Sequence, residues 1–397
     1  MLTGKLSDRI NRFTLAEEGR KMGLYFYFRE IVSEPGTEVV LKGGRRVLML
    51  GSNSYMGLTD HPEVKEASVK ALNKYGTGCA GSRFLNGTLN IHIELEEALA
   101  DWVGKEAAIL FSTGFQVNQG IIATLLNRHD AVFLDACDHA SILEGAKLSM
   151  ARVERFPHND LEKLEILLSE VPEEKVKFLV VDGIFSMEGD VCPLPGLADL
   201  SERYQTALMV DDAHGLGVLG KEGAGTADHF ELTDRVDFIM GTFSKSLATL
   251  GGFVAGDRRA MEYLKHHARA FIFSASMPAS SAAAALAALK IIRREPERME
   301  RLWRNTRMMK TGLNEMGFHT GDSETPIIPV YIADTFTLMQ MCKRLEEEGI
   351  FVNPVLPPAV LPKSSLLRVS LMATHTTSQI ASALDIFERV GKELHLL

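Results

Sequence analysis

The sequence predicts an α/β protein built on a mostly parallel β-sheet that is covered by helices on both faces. From residue 107 onward, short apolar runs rich in β-branched residues alternate with amphipathic segments at helical spacing. A chain of 397 residues can bury a large core and form two or three domains. Hydrophobic residues make up 46% and charged residues 24% of it, which is the usual balance of a globular protein.

Six apolar runs are the candidate strands of this sheet. They cover 107–111, 131–136, 177–185, 208–213, 237–243 and 251–257. Helical segments such as NDLEKLEILLSEV lie between them, with Asn159 or Asp160 placed to cap the first turn. Strands that alternate with helices pair in parallel. Ligands of such sheets bind at the carboxyl ends of the strands, so we expect the functional residues there.

The segments on either side of the sheet predict the domain organisation. PEVKEASVKALNKYG is typical of a helix with Pro62 in its first turn and Gly76 at its end. An alanine-rich helix at 280–290 leads into a smaller unit with candidate strands at 327–333 and 366–373, the helix TLMQMCKRLEEEG, a proline-rich loop and a final helix. We therefore expect an N-terminal helical segment (1–50), a large catalytic domain (51–285) and a small C-terminal domain (286–397).

The composition disfavours several classes of protein. No stretch reaches the roughly 18 uncharged apolar residues that a membrane span needs. The charged N-terminus lacks the apolar block of a signal peptide, which indicates a cytoplasmic protein. A net charge of −9 argues against nucleic-acid binding. The four cysteines are far apart and lack metal-ligand spacing, so we expect free thiols and no metal site.

Polar residues cluster directly after three of the candidate strands, in the segments LMVDDAH, GTFSKSLATLGG and DACDHAS. They are Asp211, His214, Thr242, Ser244, Lys245 and His139. Burying two acids and a histidine at the end of a strand costs free energy unless these side chains have a binding partner. Lys245, which follows an apolar strand among small residues, is placed for a lowered pKa and nucleophilic chemistry.

These residue types match the requirements of pyridoxal 5′-phosphate (PLP). A lysine forms an imine with the cofactor, an aspartate keeps the pyridine nitrogen protonated, and an imidazole ring stacks on the cofactor face. The phosphate needs backbone N–H groups at a glycine-containing turn that opens a helix. Gly114 and Phe115, directly after the strand at 107–111, provide that turn, and Thr242 and Ser244 add hydroxyls. Four strand ends thus supply the parts of one cofactor site.

Two other site types are weaker alternatives. G-x-G-x-x-G occurs at Gly76 and again at Gly215, which would suit an NAD-dependent dehydrogenase. The first motif follows a helix instead of a strand, and no strand ending in an acid follows the second at the required distance. His139, His214 and the nearby acids could bind a metal, but they lack close paired spacing.

The motifs GTFSKSLATLGG, VDDAHGLGVLG and GTGCAGSRFLNGT resemble those of the α-oxoamine synthases, PLP enzymes that condense an amino acid with an acyl-CoA. The resemblance extends from SNSYMGL (52–58) to SLMATHT (370–376). It implies PLP-dependent transferase fold type I, with a mostly parallel central sheet flanked by helices and a smaller α/β C-terminal domain. It also implies PLP as the cofactor and a homodimer with shared active sites.

The family resemblance leaves the substrates open among three activities. Stretches such as GSRFLNGTLNIHIELEEALADWVGKEAAILFSTGFQ are most similar to bacterial members that condense L-serine with palmitoyl-CoA. The products of that reaction are 3-oxosphinganine, CoA and CO2, and it is the first step of sphingolipid biosynthesis. Glycine C-acetyltransferase (2-amino-3-ketobutyrate CoA ligase) and 8-amino-7-oxononanoate synthase use the same catalytic set and are alternatives.

The resemblance also implies a catalytic role for each of four residues. Lys245 corresponds to the lysine that forms the internal aldimine. Asp211 matches the partner of the pyridine nitrogen, His214 a hydrogen bond to the phenolic oxygen of the cofactor, and His139 the ring that stacks on it.

Further positions correspond to cofactor- and substrate-binding residues. The phosphate set comprises Gly114, Phe115, Thr242 and Ser244, joined by Ser274 from the second subunit of a dimer. Ser186 lies near the phenolic oxygen, Arg368 aligns with the arginine that binds the substrate carboxylate, and Asn53 with an asparagine beside it. One departure is Leu356, which precedes Pro357 and Pro358 where some relatives have arginine. We expect loop 353–363 to influence substrate choice.

Overall fold

The computed structural model describes residues 2–357, 359–360 and 363–397. Within them the α-helices are Gly4–Asn11 (α1), Leu15–Lys21 (α2), Pro62–Tyr75 (α3), Asn90–Trp102 (α4), Gly114–Leu125 (α5), Ala140–Ser149 (α6), Leu161–Ser169 (α7), Leu194–Arg203 (α8), Thr226–His229 (α9), Arg258–His267 (α10), Arg269–Ile272 (α11), Ala279–Arg294 (α12), Glu297–Met316 (α13), Thr335–Glu347 (α14) and Thr377–Glu393 (α15). No helix in these described residues is both long and apolar enough to cross a membrane.

The strands of the described residues form three sheets. Their bounds are Glu38–Val40 (β1), Arg46–Met49 (β2), Ala107–Phe111 (β3), Ala131–Asp135 (β4), Arg152–Phe156 (β5), Lys177–Asp182 (β6), Ala207–Asp211 (β7), Phe238–Thr242 (β8), Gly252–Gly256 (β9), Ile327–Tyr331 (β10), Ile350–Phe351 (β11), Asn353–Val355 (β12) and Leu366–Ser370 (β13). The large sheet has the order β3-β9-β8-β7-β6-β4-β5, and the smaller ones are β1-β2-β11 and β10-β13-β12.

The seven-stranded sheet is parallel from β8 to β5, and β9 runs antiparallel between β8 and β3. All of its strands except the edge strand β5 are buried on both faces. In β6, for example, Phe178 and Val180 pack into the core on one side, whereas Leu179 and Val181 pack into the core on the other. Since successive strand residues point to opposite faces, near-continuous apolar runs are required. The predicted fold class is confirmed.

Local sequence signals account for the ends of several elements. Pro62 opens α3 and Gly76, with φ +81°, ends it, as predicted. The side chain of Asp160, one of the two predicted capping residues, accepts a hydrogen bond from the N–H of Lys163 at the start of α7. The strand β5 was not predicted, because RVERF is an edge strand in which Arg152 and Arg155 are exposed and interrupt the apolar run.

The segments outside the large sheet contain both helices and strands. Among the described residues 2–50, the α-helices are α1 and α2, and the strands β1 and β2 follow, so the prediction of a helical segment over 1–50 was wrong for its second half. Alternation of buried and exposed residues in Arg46–Met49 explains the strand there. The predicted division at 285/286 falls inside α12, and the domain limits stay a prediction. In the loop 353–363, Pro358, Leu361 and Pro362 lie outside the described residues.

Candidate active site

Eight of the twelve predicted site residues line one cavity of about 260 Å³ at the carboxyl ends of the parallel strands. They are Gly114, Phe115, His139, Asp211, His214, Thr242, Ser244 and Lys245. They come from the segments that follow β3, β4, β7 and β8, which are distant in the chain but lie at the same edge of the sheet. The strand-end rule for parallel sheets therefore located the site.

One wall of the cavity is suited to an anion. Gly114 begins α5, and Thr113 caps the helix by accepting a hydrogen bond from the N–H of Gln116. The first N–H groups of a helix lack intrahelical acceptors and favour negative charge. Opposite them, the hydroxyls of Thr242 and Ser244 lie 3.0 Å apart. A Cβ on Gly114 would come within 2.8 Å of Thr242 Oγ1, so only glycine allows this close approach.

Asp211 ends β7 and supplies a buried carboxylate to the cavity. Asn118 Nδ2 donates to its Oδ2 at 2.7 Å, and the N–H of Ala213 donates to its Oδ1 at 3.1 Å. The same Asn118 amide also donates to Ser141 Oγ at 2.7 Å. These hydrogen bonds fix the orientation of the carboxylate. A carboxylate held in this way can accept a hydrogen bond from a protonated pyridine nitrogen.

Lys245 lies in the short connection between β8 and β9, with its side chain in the cavity. Burial disfavours its ammonium form and outweighs the attraction of Asp211 and Asp182, so the pKa of Lys245 is lowered to about 8. A lysine with this pKa has a substantial neutral fraction near neutral pH. Its amine can therefore act as a nucleophile and as a base.

His214 connects the cavity to a second group of polar residues. Its Nδ1 lies 2.6 Å from the hydroxyl of Tyr55, which is buried. Burial, with the nearby charges of Lys245 and Arg368, holds the pKa of His214 well below its ordinary value. The ring is thus neutral, and a hydroxyl that donates to Nδ1 leaves the proton on Nε2. His214 is then a hydrogen-bond donor toward the cavity.

Arg368, on β13, is the centre of this second group and is buried. Its Nη1 donates to Asn53 Oδ1 at 2.8 Å and to Ser370 Oγ at 2.6 Å. Its Nε donates to the carbonyl oxygen of Ser186 at 2.6 Å. The structure thus brings together the predicted residues Asn53, Ser186 and Arg368. Among the described residues, the hydrogen-bond partners of this buried guanidinium are neutral oxygens, so the group is suited to binding an anionic substrate group.

His139 lies at the start of α6, where it caps the helix through its side chain. Its Nδ1 is 2.8 Å from Ser141 Oγ, and its backbone N–H donates to Asp182 Oδ2 at 2.8 Å. Burial lowers the pKa of His139, which favours the neutral ring. These contacts fix the imidazole at the cavity wall.

Ser274 is the one predicted residue that the structure places elsewhere. It lies outside the cavity lining, and its Oγ accepts a hydrogen bond from Gln116 Nε2 at 3.1 Å. Its predicted role depends on a second subunit and stays a prediction.

Asn118, Tyr55 and Asp182 contribute to the site but were not predicted. Asp182 ends β6, lines the cavity and is buried. Burial and the charge of Asp211 raise the pKa of Asp182 well above its ordinary value. Its position at the end of the apolar strand KFLVVD was the signal that could have identified it.

Comparisons with known proteins agree with this geometry. Residues 45–387 match the protein-family model for aminotransferase class I and II. The chain belongs to this family. Within it, the chain is an α-oxoamine synthase of fold type I, as predicted from the motifs. Membership of this family excludes the NAD-dependent dehydrogenase alternative.

Three similar proteins bear on the more specific predictions. The serine palmitoyltransferase of Sphingobacterium spiritivorum is 56% identical over 100% of this chain and 99% of its own length. A solved structure of the serine palmitoyltransferase of S. paucimobilis with a bound PLP–myriocin aldimine has a TM-score of 0.95, 36% identity and 100% coverage of both chains. The 8-amino-7-oxononanoate synthase of Symbiobacterium thermophilum is less similar, with 42% identity over 95% of this chain and 96% of its own.

Proposed function

We propose that this α-oxoamine synthase is a serine palmitoyltransferase, which condenses L-serine with palmitoyl-CoA to form 3-oxosphinganine, CoA and CO2. The observation that carries the reaction type is the convergence of Lys245 and Asp211 on one cavity next to the buried Arg368. The choice of serine and palmitoyl-CoA is supported by the 56% identity to a serine palmitoyltransferase over the full chain.

The cavity residues fit PLP. The N-terminus of α5, with Thr242 and Ser244, would hold the phosphate, and the carboxylate of Asp211 would accept a hydrogen bond from the pyridine nitrogen. His214 would donate to the phenolic oxygen, and His139 would contact the ring. When bound, PLP supplies an electron sink for the negative charge that develops at the α-carbon of the amino acid.

Arg368 and Lys245 act on the amino acid. The guanidinium of Arg368 binds the carboxylate, and its bonds to Asn53 and Ser186 fix its orientation. The neutral amine of Lys245 accepts the α-proton at Nζ, which its lowered pKa permits near neutral pH. Lys245 follows β8 of the large sheet, whereas Arg368 lies on β13 of a smaller sheet. An amino acid that contacts both residues therefore lies between the large sheet and β13.

We also propose that the chain is a homodimer, with Ser274 completing the phosphate site of the partner subunit. Large apolar side chains are exposed in two loops beside Ser274, including Leu85 (78% exposed) and Phe273 (76%). These loops are held together by hydrogen bonds from Ser276 to Gly81 and Gly87. An exposed apolar patch of this kind is typical of an interaction surface. Cytoplasmic location remains a prediction from the sequence.

Product analysis with the purified, PLP-loaded protein tests the substrate assignment. L-serine with palmitoyl-CoA, glycine with acetyl-CoA and L-alanine with pimeloyl-CoA are offered separately, and the products are identified by mass spectrometry. We expect 3-oxosphinganine from the first pair, with a change in the PLP absorbance at about 420 nm on adding L-serine alone. Turnover of only the second or third pair would refute the serine palmitoyltransferase assignment and retain the family.

The role of Lys245 is tested with Lys245→Ala. We expect condensation to fall by at least about 10³-fold, because a positioned proton acceptor and a nucleophile are lost together. Lys290→Ala is the matched control, since Lys290 is exposed and forms a surface ion pair with Glu94. Unchanged activity in Lys245→Ala would contradict the mechanism.

A further inference from the structure

His158 lies between two carboxylates close to the active site. Its Nδ1 is 2.9 Å from Asp135 Oδ1, and its Nε2 is 2.9 Å from Asp190 Oδ2. Asp135 ends β4, whereas Asp190 belongs to the turn after β6. His158 itself follows β5, so one imidazole ring connects segments from three strands of the large sheet.

The imidazole of His158 is charged. Burial opposes the charged form, but the hydrogen bonds to Asp135 and Asp190 outweigh it and raise the pKa of His158 to about 12. Cys137 and Glu188 also face the ring, and burial raises the pKa of each, which keeps both neutral over a wider pH range. His158 is therefore the positive charge between Asp135 and Asp190 throughout the physiological range.

This cluster is better explained as a hydrogen-bonded clamp than as a metal site. Asp135, Cys137 and His158 do bring ligand-type atoms within 4.8 Å of one another. A metal ion, however, needs a ring nitrogen with a free lone pair. Both ring nitrogens of His158 are hydrogen-bonded to carboxylates.

Asp190 belongs to a tight turn that His158 holds in place. The N–H of Phe185 donates to the carbonyl of Asp190 at 3.1 Å, and the N–H of Gly189 donates to the carbonyl of Phe185 at 2.9 Å. The Phe185 ring packs edge-on against the imidazole, with 4.4 Å between ring centroids. Asn159 Nδ2 adds a second bond to Asp190 Oδ2 at 2.8 Å. Residues 185–190 are thus anchored on both their backbone and their side chains.

The same turn carries Ser186, whose carbonyl oxygen accepts the 2.6 Å hydrogen bond from Arg368 Nε. This bond is one of the contacts that orient the buried guanidinium. A shift of the turn would move the Ser186 carbonyl and release Arg368 from its present orientation. Displacements of about 1 Å can reduce catalysis by about 100-fold when they affect a group that positions substrate.

We propose that His158 is a positioning residue for amino-acid binding: it clamps the turn 185–190, so that the Ser186 carbonyl orients Arg368 toward the substrate carboxylate. The inference rests on the proposed function, because Arg368 binds a carboxylate only if the substrate is an amino acid. His158 thus acts on Arg368 indirectly, through Asp190 and Ser186, and does not touch the reacting atoms.

Steady-state kinetics of the PLP-loaded enzyme test the inference with His158→Ala, Asp190→Ala and the double variant. We expect the KM for the amino acid to rise about tenfold in each single variant, since an orienting contact to a charged group is weakened. The KM for the acyl-CoA should stay within about twofold, because that substrate does not use the carboxylate site. The double variant should be no worse than either single variant, since both residues act through one bond.

Two measurements separate positioning from a general loss of stability. Phe387→Leu is the matched control, because Phe387, on α15, is fully buried against Phe318 and lies outside the cavity lining. Hydrogen exchange should accelerate in residues 183–191 of His158→Ala and not in Phe387→Leu. A KM increase shared by both substrates, additive effects, or unchanged exchange at 183–191 would overturn the inference.

Different experimental results would refute the proposed function and the role of His158. If the wild type does not use L-serine, the serine palmitoyltransferase assignment fails. The kinetics are then measured with glycine or L-alanine, whichever the wild type accepts, since all three amino acids present the same carboxylate to Arg368.

Discussion

A single methyl group added at Gly114 tests the proposed phosphate site. The Cβ of Gly114→Ala would lie 2.8 Å from both Cβ and Oγ1 of Thr242 and 3.3 Å from Cε of Met240. Side-chain carbons do not approach a hydroxyl oxygen this closely, so either Thr242 rotates away or the start of α5 retreats. Each movement removes one proposed donor from the phosphate. The loss of one hydrogen bond to a charged group costs about 1.5–3 kcal/mol, which corresponds to roughly 10- to 100-fold weaker PLP binding.

The assay is a titration of the apoenzyme with PLP, followed by absorbance and by intrinsic fluorescence. Gly36→Ala is the control, because the nearest described atom to a Cβ there is the carbonyl oxygen of Glu38 at 3.7 Å, which is an ordinary contact. We expect the control to bind PLP like the wild type. Equal PLP affinities of Gly114→Ala and the wild type would refute the assignment of the α5 N-terminus and Thr242 to the phosphate.

Two further predictions concern stability. His375 is buried, with Nε2 bonded to the carbonyl of Met49, and burial lowers its pKa to about 4. Since its folded pKa lies below its unfolded value, the unfolded state binds more protons, and stability falls as the pH drops from about 6.5 to 4. His375→Asn should make the slope of unfolding free energy against pH shallower by up to about 1.4 kcal/mol per pH unit, measured by urea unfolding; an unchanged slope would contradict the assignment. Glu96→Ala should destabilise the protein by about 3–5 kcal/mol, because it leaves the buried guanidinium of Arg83 without its partner at 2.8 Å. The exposed Glu63→Ala should leave the urea midpoint nearly unchanged, and an equal shift in both variants would count against the buried pair.

The fold was predictable because its signals are local. Apolar runs of five or six residues, with helical segments between them, identify a buried parallel sheet without any knowledge of distant contacts. The carboxyl-end rule then placed Gly114, His139, Asp211 and Lys245 at one site. The antiparallel direction of β9 was not predicted, since a short apolar run has no intrinsic direction in a sheet.

The missed site residues depend on contacts between distant parts of the chain. Asn118 lies in the helical segment GFQVNQGIIATL, where a single polar residue on the buried face was a weak signal. Its role follows only from the 2.7 Å contact with Asp211, 93 residues away. Tyr55 similarly lies 2.6 Å from His214, 159 residues away. No spacing rule predicts the Asn118–Asp211 contact or the Tyr55–His214 contact from a single sequence. Both contacts are therefore known only from the tertiary structure.

The antiparallel strand β9 has a consequence for the entropy of the active site. A parallel neighbour of β8 would require a crossover of a dozen residues or more. The connection from β8 to β9 instead spans only residues 243–251, and it is closed by the hydrogen bonds from Phe243 N to Gly251 O (2.9 Å) and from Thr249 N to Phe243 O (3.0 Å). A loop this short has few conformations to lose when a ligand binds. We therefore expect the backbone of Lys245 to be ordered already in the folded protein. The entropy cost of ordering it then does not weaken the binding of the cofactor or the substrate.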